Sequence, residues 1–309
     1  VSSLRIRMDA AGFCTQTRVL IVAGKGGVGK TTVTAAVARM AARAGLTALI
    51  VELEGKSGLG GAFGRADPLT YEEVTLAEGV RARTLTPDDA LVEYLEDHGL
   101  RRISKRLIKT GAVDVVATAA PGIKDILVLG KVKQLERAAA ADLIVVDAPA
   151  AGHAVTFLTS ASGLLDAVRV GPIRAQALDV LEMLKDPARC QVVLVTLPEE
   201  TPVNEVVETA FKLEDRVGVT LGPVVVNGLY PERRGLDADV DLPPEDADAL
   251  RAAARFRLAR TALQAEQVQR LAAALPLPQL RLPYLFTTEV GPEDVDVLAD
   301  ALAKEVAAL

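Results

Sequence analysis

The stretch Gly24-Lys25-Gly26-Gly27-Val28-Gly29-Lys30-Thr31-Thr32 constrains this chain more than any other. It fits G-x-x-x-x-G-K-[ST] at every fixed position. Before it runs Arg18-Val19-Leu20-Ile21-Val22-Ala23, an apolar, β-branched stretch that reads as a buried strand. After it, residues 32–40 read as a helix. Strand, glycine loop and helix N-terminus together form an anion site. Glycines let the N–H groups of residues 24–32 turn inward on phosphates, and the helix dipole adds partial positive charge. Lys30 is expected to reach the β- and γ-phosphates, and the Thr31 hydroxyl to sit on Mg²⁺.

The same letters also satisfy G-x-G-x-x-G through Gly24, Gly26 and Gly29, with Glu52 or Glu54 as the ribose acid of a dinucleotide fold. A dinucleotide site has no use for Lys-Thr directly after the third glycine, whereas a triphosphate site needs both. The triphosphate reading is therefore preferred. A melting-temperature shift with ATP or with NAD separates the two.

The chain has 309 residues and a net charge of −6, which argues against a general nucleic-acid binder. Half of it is hydrophobic but only 3% is aromatic, so its core must be built mainly of Ala, Val and Leu. No uncharged apolar run is long enough to span a bilayer. No leader is visible, and Cys14 and Cys190 make no metal or disulfide pattern. A cytoplasmic protein is expected.

Strands are expected at 18–23, 47–54, 80–85, 143–147, 191–196, 224–227 and 279–282. Helical pattern covers 99–140 with a break at Pro121-Gly122, then 154–186, 247–274 and 292–307. Thr86 is expected to cap a helix with Pro87 at its first position, and Thr201-Pro202 to begin another. The alternation predicts an α/β fold, mainly parallel, with helices on both faces. Residues 1–17 read as a loose tail. Residues 18–309 read as one P-loop domain with a helical subdomain roughly at 86–140 and 154–190.

Parallel sheets place ligand chemistry at the carboxyl ends of their strands. Gly24, Glu52, Glu54, Asp147 and Asn227 all fall there. Asp147 follows four apolar residues, the pattern of the acid that holds the Mg²⁺ shell.

Lys25, directly after the first glycine, makes the loop similar to those of the deviant Walker A superclass that includes ArsA, MinD, ParA and the nitrogenase iron protein. Asp147-Ala148-Pro149-Ala150-Ala151-Gly152-His153 resembles the D-T-A-P-T-G-H signature of the ArsA family. Pro121-Gly122-Ile123-Lys124-Asp125 resembles its P-G-I-D-E turn, and Leu197-Pro198-Glu199-Glu200 its L-P-E-E segment. The chain is thus identified as a member of the ArsA-like ATPases, similar over residues 18–307 to those of actinobacterial type. The resemblance implies that Lys25 reaches across a dimer to the partner's nucleotide. It makes Gly152 and His153 part of a segment that responds to the γ-phosphate. It places Glu54 where the family has the acid that orients the attacking water, with Glu52 as the alternative. Asn227 and Pro283 fall at its adenine contacts. The family's D-P-A-H switch is here Glu54-Gly55-Lys56-Ser57, a departure that bears on hydrolysis.

The resemblance also implies ATP and Mg²⁺ as ligands and a homodimer, or a heterodimer with a sister subunit. The expected client is a peripheral membrane or tail-anchored protein. The chain lacks the arsenite-binding cysteine trio, the C-x-x-C zinc clasp and the Met-rich groove of better-defined branches; its methionines are Met8, Met40 and Met183. A second reading is a nucleotide-dependent assembly module with little hydrolysis.

Overall fold

The computed structural model describes residues 8–53, 58–97, 122–238 and 247–309. The β-branched runs form β1 (Val19–Gly24), β2 (Ala48–Leu53), β3 (Val74–Ala77), β4 (Val80–Leu85), β5 (Leu143–Ala150), β6 (Cys190–Thr196), β7 (Leu221–Leu229) and β8 (Gln279–Pro283). They lie side by side in the order β3-β4-β2-β5-β1-β6-β7-β8. β3 runs antiparallel to β4, and every other pairing is parallel. The helices are α1 (Ala10–Cys14), α2 (Lys30–Arg43), α3 (Leu59–Ala62), α4 (Pro87–Asp97) and α5 (Ile123–Arg137). They continue with α6 (Ala151–Ala167), α7 (Pro172–Lys185), α8 (Glu200–Val217), α9 (Ala247–Ala274) and α10 (Pro292–Val306).

Strands buried on both faces alternate their side chains between two cores. In β1, Val19, Ile21 and Ala23 face the helices α5, α6, α7, α8 and α9. Leu20 and Val22 face α1, α2, α3 and α10. The expected α/β, mainly parallel P-loop fold with helices on both faces is what forms. The core is made of Val, Leu, Ile and Ala, in keeping with the low aromatic content.

Four local expectations need correction. Residues 8–17 are not a loose tail. The Asp9 carboxylate accepts from the Gly12 N–H at 2.6 Å and caps α1, whose Phe13 and Cys14 are buried. The edge strand β3 escaped notice because its four residues are only half buried and carry no clean alternation. Helical pattern over 154–186 is two helices, parted at Gly171, which has φ of 105°, and Pro172 at the first helical position. α8 begins one residue before Thr201 and has Glu199 at its cap without a side-chain hydrogen bond. The Thr86 cap does form: its hydroxyl accepts from the Asp89 N–H at 3.0 Å.

Among the described residues no helix is long and apolar enough to cross a membrane. The stretch 98–121 of the expected helical region, including Pro121, lies outside the described residues, as does the expected switch at 54–57.

Candidate nucleotide site

β1 delivers Gly24 to the centre of the sheet, flanked by β5 and β6. A Cβ on Gly24 would stand 2.3 Å from the Val195 carbonyl oxygen, so the strand pairing itself demands glycine. Gly29 ends the loop in the left-handed region, at φ of 88°, and α2 starts at Lys30. No side chain caps α2 and its first turn carries no acid. Its N-terminal amides and the dipole behind them are thus available to an anionic ligand.

Strand order assembles the rest. Val22 of β1 stands beside Asp147 of β5, which stands beside Glu52 of β2, which stands beside Thr84 of β4. In-register neighbours of a parallel sheet share a face, so Asp147 and Glu52 lie on the α2 side. Asp147 is fully buried and Glu52 is 3% exposed. The Thr31 hydroxyl donates to Asp147 Oδ2 at 2.6 Å, across 116 residues of sequence. The Thr84 hydroxyl donates to Glu52 Oε2 at 3.2 Å. A hydroxyl and a carboxylate oxygen converging beside the phosphate loop are the hard oxygen donors that Mg²⁺ takes. The residues fit the ion.

Lys30 is buried, and its ammonium donates to the Lys25 carbonyl at 3.0 Å. Lys25 itself reaches away from the loop to Glu205 of α8, Nζ to Oε1 at 2.6 Å. Asn227, near the end of β7, donates its amide to the Val28 carbonyl at 2.9 Å. That bond fixes the amide at a cavity beside the loop. The cavity, of about 270 Å³, is lined among others by Gly29, Thr32, Leu197, Asn227, Pro283 and Tyr284. Gly27 and Val28 also face it. Apolar walls with one amide suit a base.

Gly152 and His153 lie exposed in the first turn of α6. Burial raises the Asp125 carboxyl above its usual range, and the charge of nearby His153 opposes that shift. A Cβ on Gly122, in the turn before α5, would stand 3.2 Å from the Ser160 Cβ of α6, so that turn packs against α6. Gly26 stands beside Ala150, its Cβ position 3.9 Å from the alanine methyl. Glu54 lies outside the described residues.

Thus Gly24, Lys30, Thr31, Asp147, Asn227 and Pro283 come together around the loop, with Glu52 adjoining. Sequence reasoning missed Glu205 and Thr84. Thr84 could have been found from the polar residue at the carboxyl end of an expected strand. Glu205 carries no local signal: it is one of several acids on an amphipathic helix. Cys14 packs on the α2 side of the sheet and Cys190 on the other, so the two thiols cannot share a ligand.

A family model described as anion-transporting ATPase matches residues 17–170. ATPase BagA of Mycobacterium tuberculosis is 32% identical over 299 residues, which cover 86% of this chain and 87% of BagA. The arsenical pump-driving ATPase of Escherichia coli is 27% identical over 237 residues, 69% of this chain and 39% of that longer protein.

Proposed function

The chain belongs to the anion-transporting ATPase (ArsA) family, and on that premise we propose that it is an Mg²⁺-ATP-hydrolysing switch that closes as a dimer. Membership supports ATP-dependent activity; dimer, switch and client are the proposal. The observation that carries it is the Thr31–Asp147 contact at 2.6 Å beside a glycine loop whose helix is left uncapped.

The residues divide the work. Amides of residues 24–32 and the Lys30 ammonium hold the phosphates. Thr31 and Asp147 hold Mg²⁺, which when bound neutralises charge on the phosphate oxygens. Asn227 Oδ1 accepts from the amino group of adenine and would meet a keto oxygen in guanine with no proton to share; Pro283 flanks the base. Lys25 acts on the partner's nucleotide. Glu54 orients the attacking water. Gly152 and His153 report the γ-phosphate through the start of α6. The client is unidentified; a membrane-associated or tail-anchored protein is the class that the family resemblance suggests.

One experiment separates these roles. Lys30→Ala, Lys25→Ala and Glu54→Gln are compared for ATP binding and single turnover. Lys30→Ala is expected to lose binding. Lys25→Ala is expected to bind but lose ~10³–10⁵ in rate, as trans-acting cations do. Glu54→Gln is expected to bind and turn over slowly. A Lys30→Ala variant that binds and turns over like the parent sinks the site. A parental rate for Glu54→Gln transfers the water-orienting role to Glu52. The assembly-module reading rests on the Glu54-Gly55-Lys56-Ser57 departure; a rate that stays low with and without a sister subunit would favour it.

A further inference from the structure

Lys25 is committed in this structure, and its partner is intramolecular. Its Nζ lies 2.6 Å from Glu205 Oε1, on a helix 180 residues further along the chain. Its backbone is held too, because the Lys30 ammonium donates to the Lys25 carbonyl at 3.0 Å. Two contacts thus converge on one residue of the loop, and neither is compatible with the roles proposed for the two lysines. Lys30 must turn to the phosphates, and Lys25 must leave its own protomer.

We propose that Glu205 is a cis latch, a positioning residue that parks Lys25 until nucleotide arrives and so sets the threshold for dimer closure. The inference rests on the trans role of Lys25. When phosphates draw Lys30 inward, the Lys25 carbonyl loses its donor and the loop at residue 25 is released. Among the described residues, the ion pair with Glu205 is then what restrains the side chain. Both partners are about one-third exposed, 36% and 40%, so water screens the pair and it can open. Glu205 also faces a cavity of about 480 Å³ shared with Gly152, Val155 and Thr156 of α6. The other acid there, Glu208, is already paired with Lys212 at 3.1 Å. The latch therefore sits between the loop and the helix that carries the expected γ-phosphate segment.

The size of the effect follows from the exposure. Exposed pairs shift equilibria by about 1.5- to fivefold. A symmetric dimer must open two latches, so the factor is squared, to ~2- to 25-fold in association constant.

The test is sedimentation velocity of the full chain with Mg²⁺ and a non-hydrolysable ATP analogue, over a range of protein concentrations. Glu205→Gln is expected to raise the association constant ~2- to 25-fold. The protein concentration for half-maximal ATPase should fall in step, with the plateau rate within about twofold of the parent. Glu205→Asp, which keeps the charge, should lie between the two. The difference between parent and Glu205→Gln should shrink at about 0.5 M salt. In Lys25→Ala, adding Glu205→Gln should change nothing. If Lys25→Ala loses turnover but Glu205→Gln associates no better than the parent, the latch is wrong and the trans lysine stands. If Lys25→Ala turns over normally, the trans role fails and the latch with it.

Discussion

At Gly29 a left-handed backbone and a steric limit coincide. Its φ of 88° suits glycine, and an added Cβ would lie 2.3 Å from Asn227 Nδ2. Gly27 shares the sign of φ, at 85°, but has nothing within 4 Å of its Cβ position. The two therefore separate backbone strain from collision. Gly27→Ala is expected to cost ~1–2 kcal/mol from the left-handed conformation alone. Gly29→Ala adds the displacement of Asn227 from the Val28 carbonyl. It should be the more destabilising in a urea titration. It should also weaken the ATP-induced rise in melting temperature, because Asn227 would no longer present its oxygen to the base. Equal losses for both variants would show that the Asn227 contact yields without consequence.

α2 connects the phosphate loop to the rest of the molecule, and its outer side is tied to α10. Asp296 receives Arg39 at 2.7 Å and Arg43 at 3.0 Å. The Arg39 hydrogen bond, then the charges of both arginines, hold the Asp296 carboxyl below its ordinary range. A depressed folded-state pKa stabilises the fold above the unfolded-state pKa of about 3.9, and that stability is lost as pH falls through the folded value. Asp296→Asn should therefore cost most at neutral pH, and the cost should shrink once pH falls below about 3.9. With the carboxylate one-third exposed, the neutral-pH loss is about 0.2–1 kcal/mol. Denaturant titrations of both proteins from pH 7 down to ~3 measure it; a difference that persists unchanged at the acid end would mean that packing, not charge, is lost. The apolar half of the same contact, Leu298, Ala299 and Leu302 against the second core, is independent of pH.

Across the whole molecule, the sheet divides the chemistry that the chain can perform. Cys14 is 2% exposed and Cys190 fully buried, on opposite faces of the sheet. Burial pushes each thiol up to about 12. Neither should react with a thiol-specific disulfide reagent at neutral pH while folded, and both should react once the chain is unfolded. Fast titration of either in the native protein would contradict this packing.

The loop was legible in the sequence because its chemistry is local. Glycine, lysine and threonine at fixed spacing need only a turn and a helix start to act, and the apolar β-branched runs announced the strands that hold them. Asp147 was legible for the same reason, as an acid after four buried residues. The helix at 10–14 was missed because a single turn has no period, even though Asp9 stood ready to cap it. What the sequence could not decide was which strands lie together. Asp147 meets Thr31 only because β5 takes the place between β2 and β1. Lys25 meets Glu205 only because β6 places α8 beside the loop on the other side of β1. Such neighbours are chosen by which apolar faces bury together in three dimensions, over separations where no local preference of the chain operates.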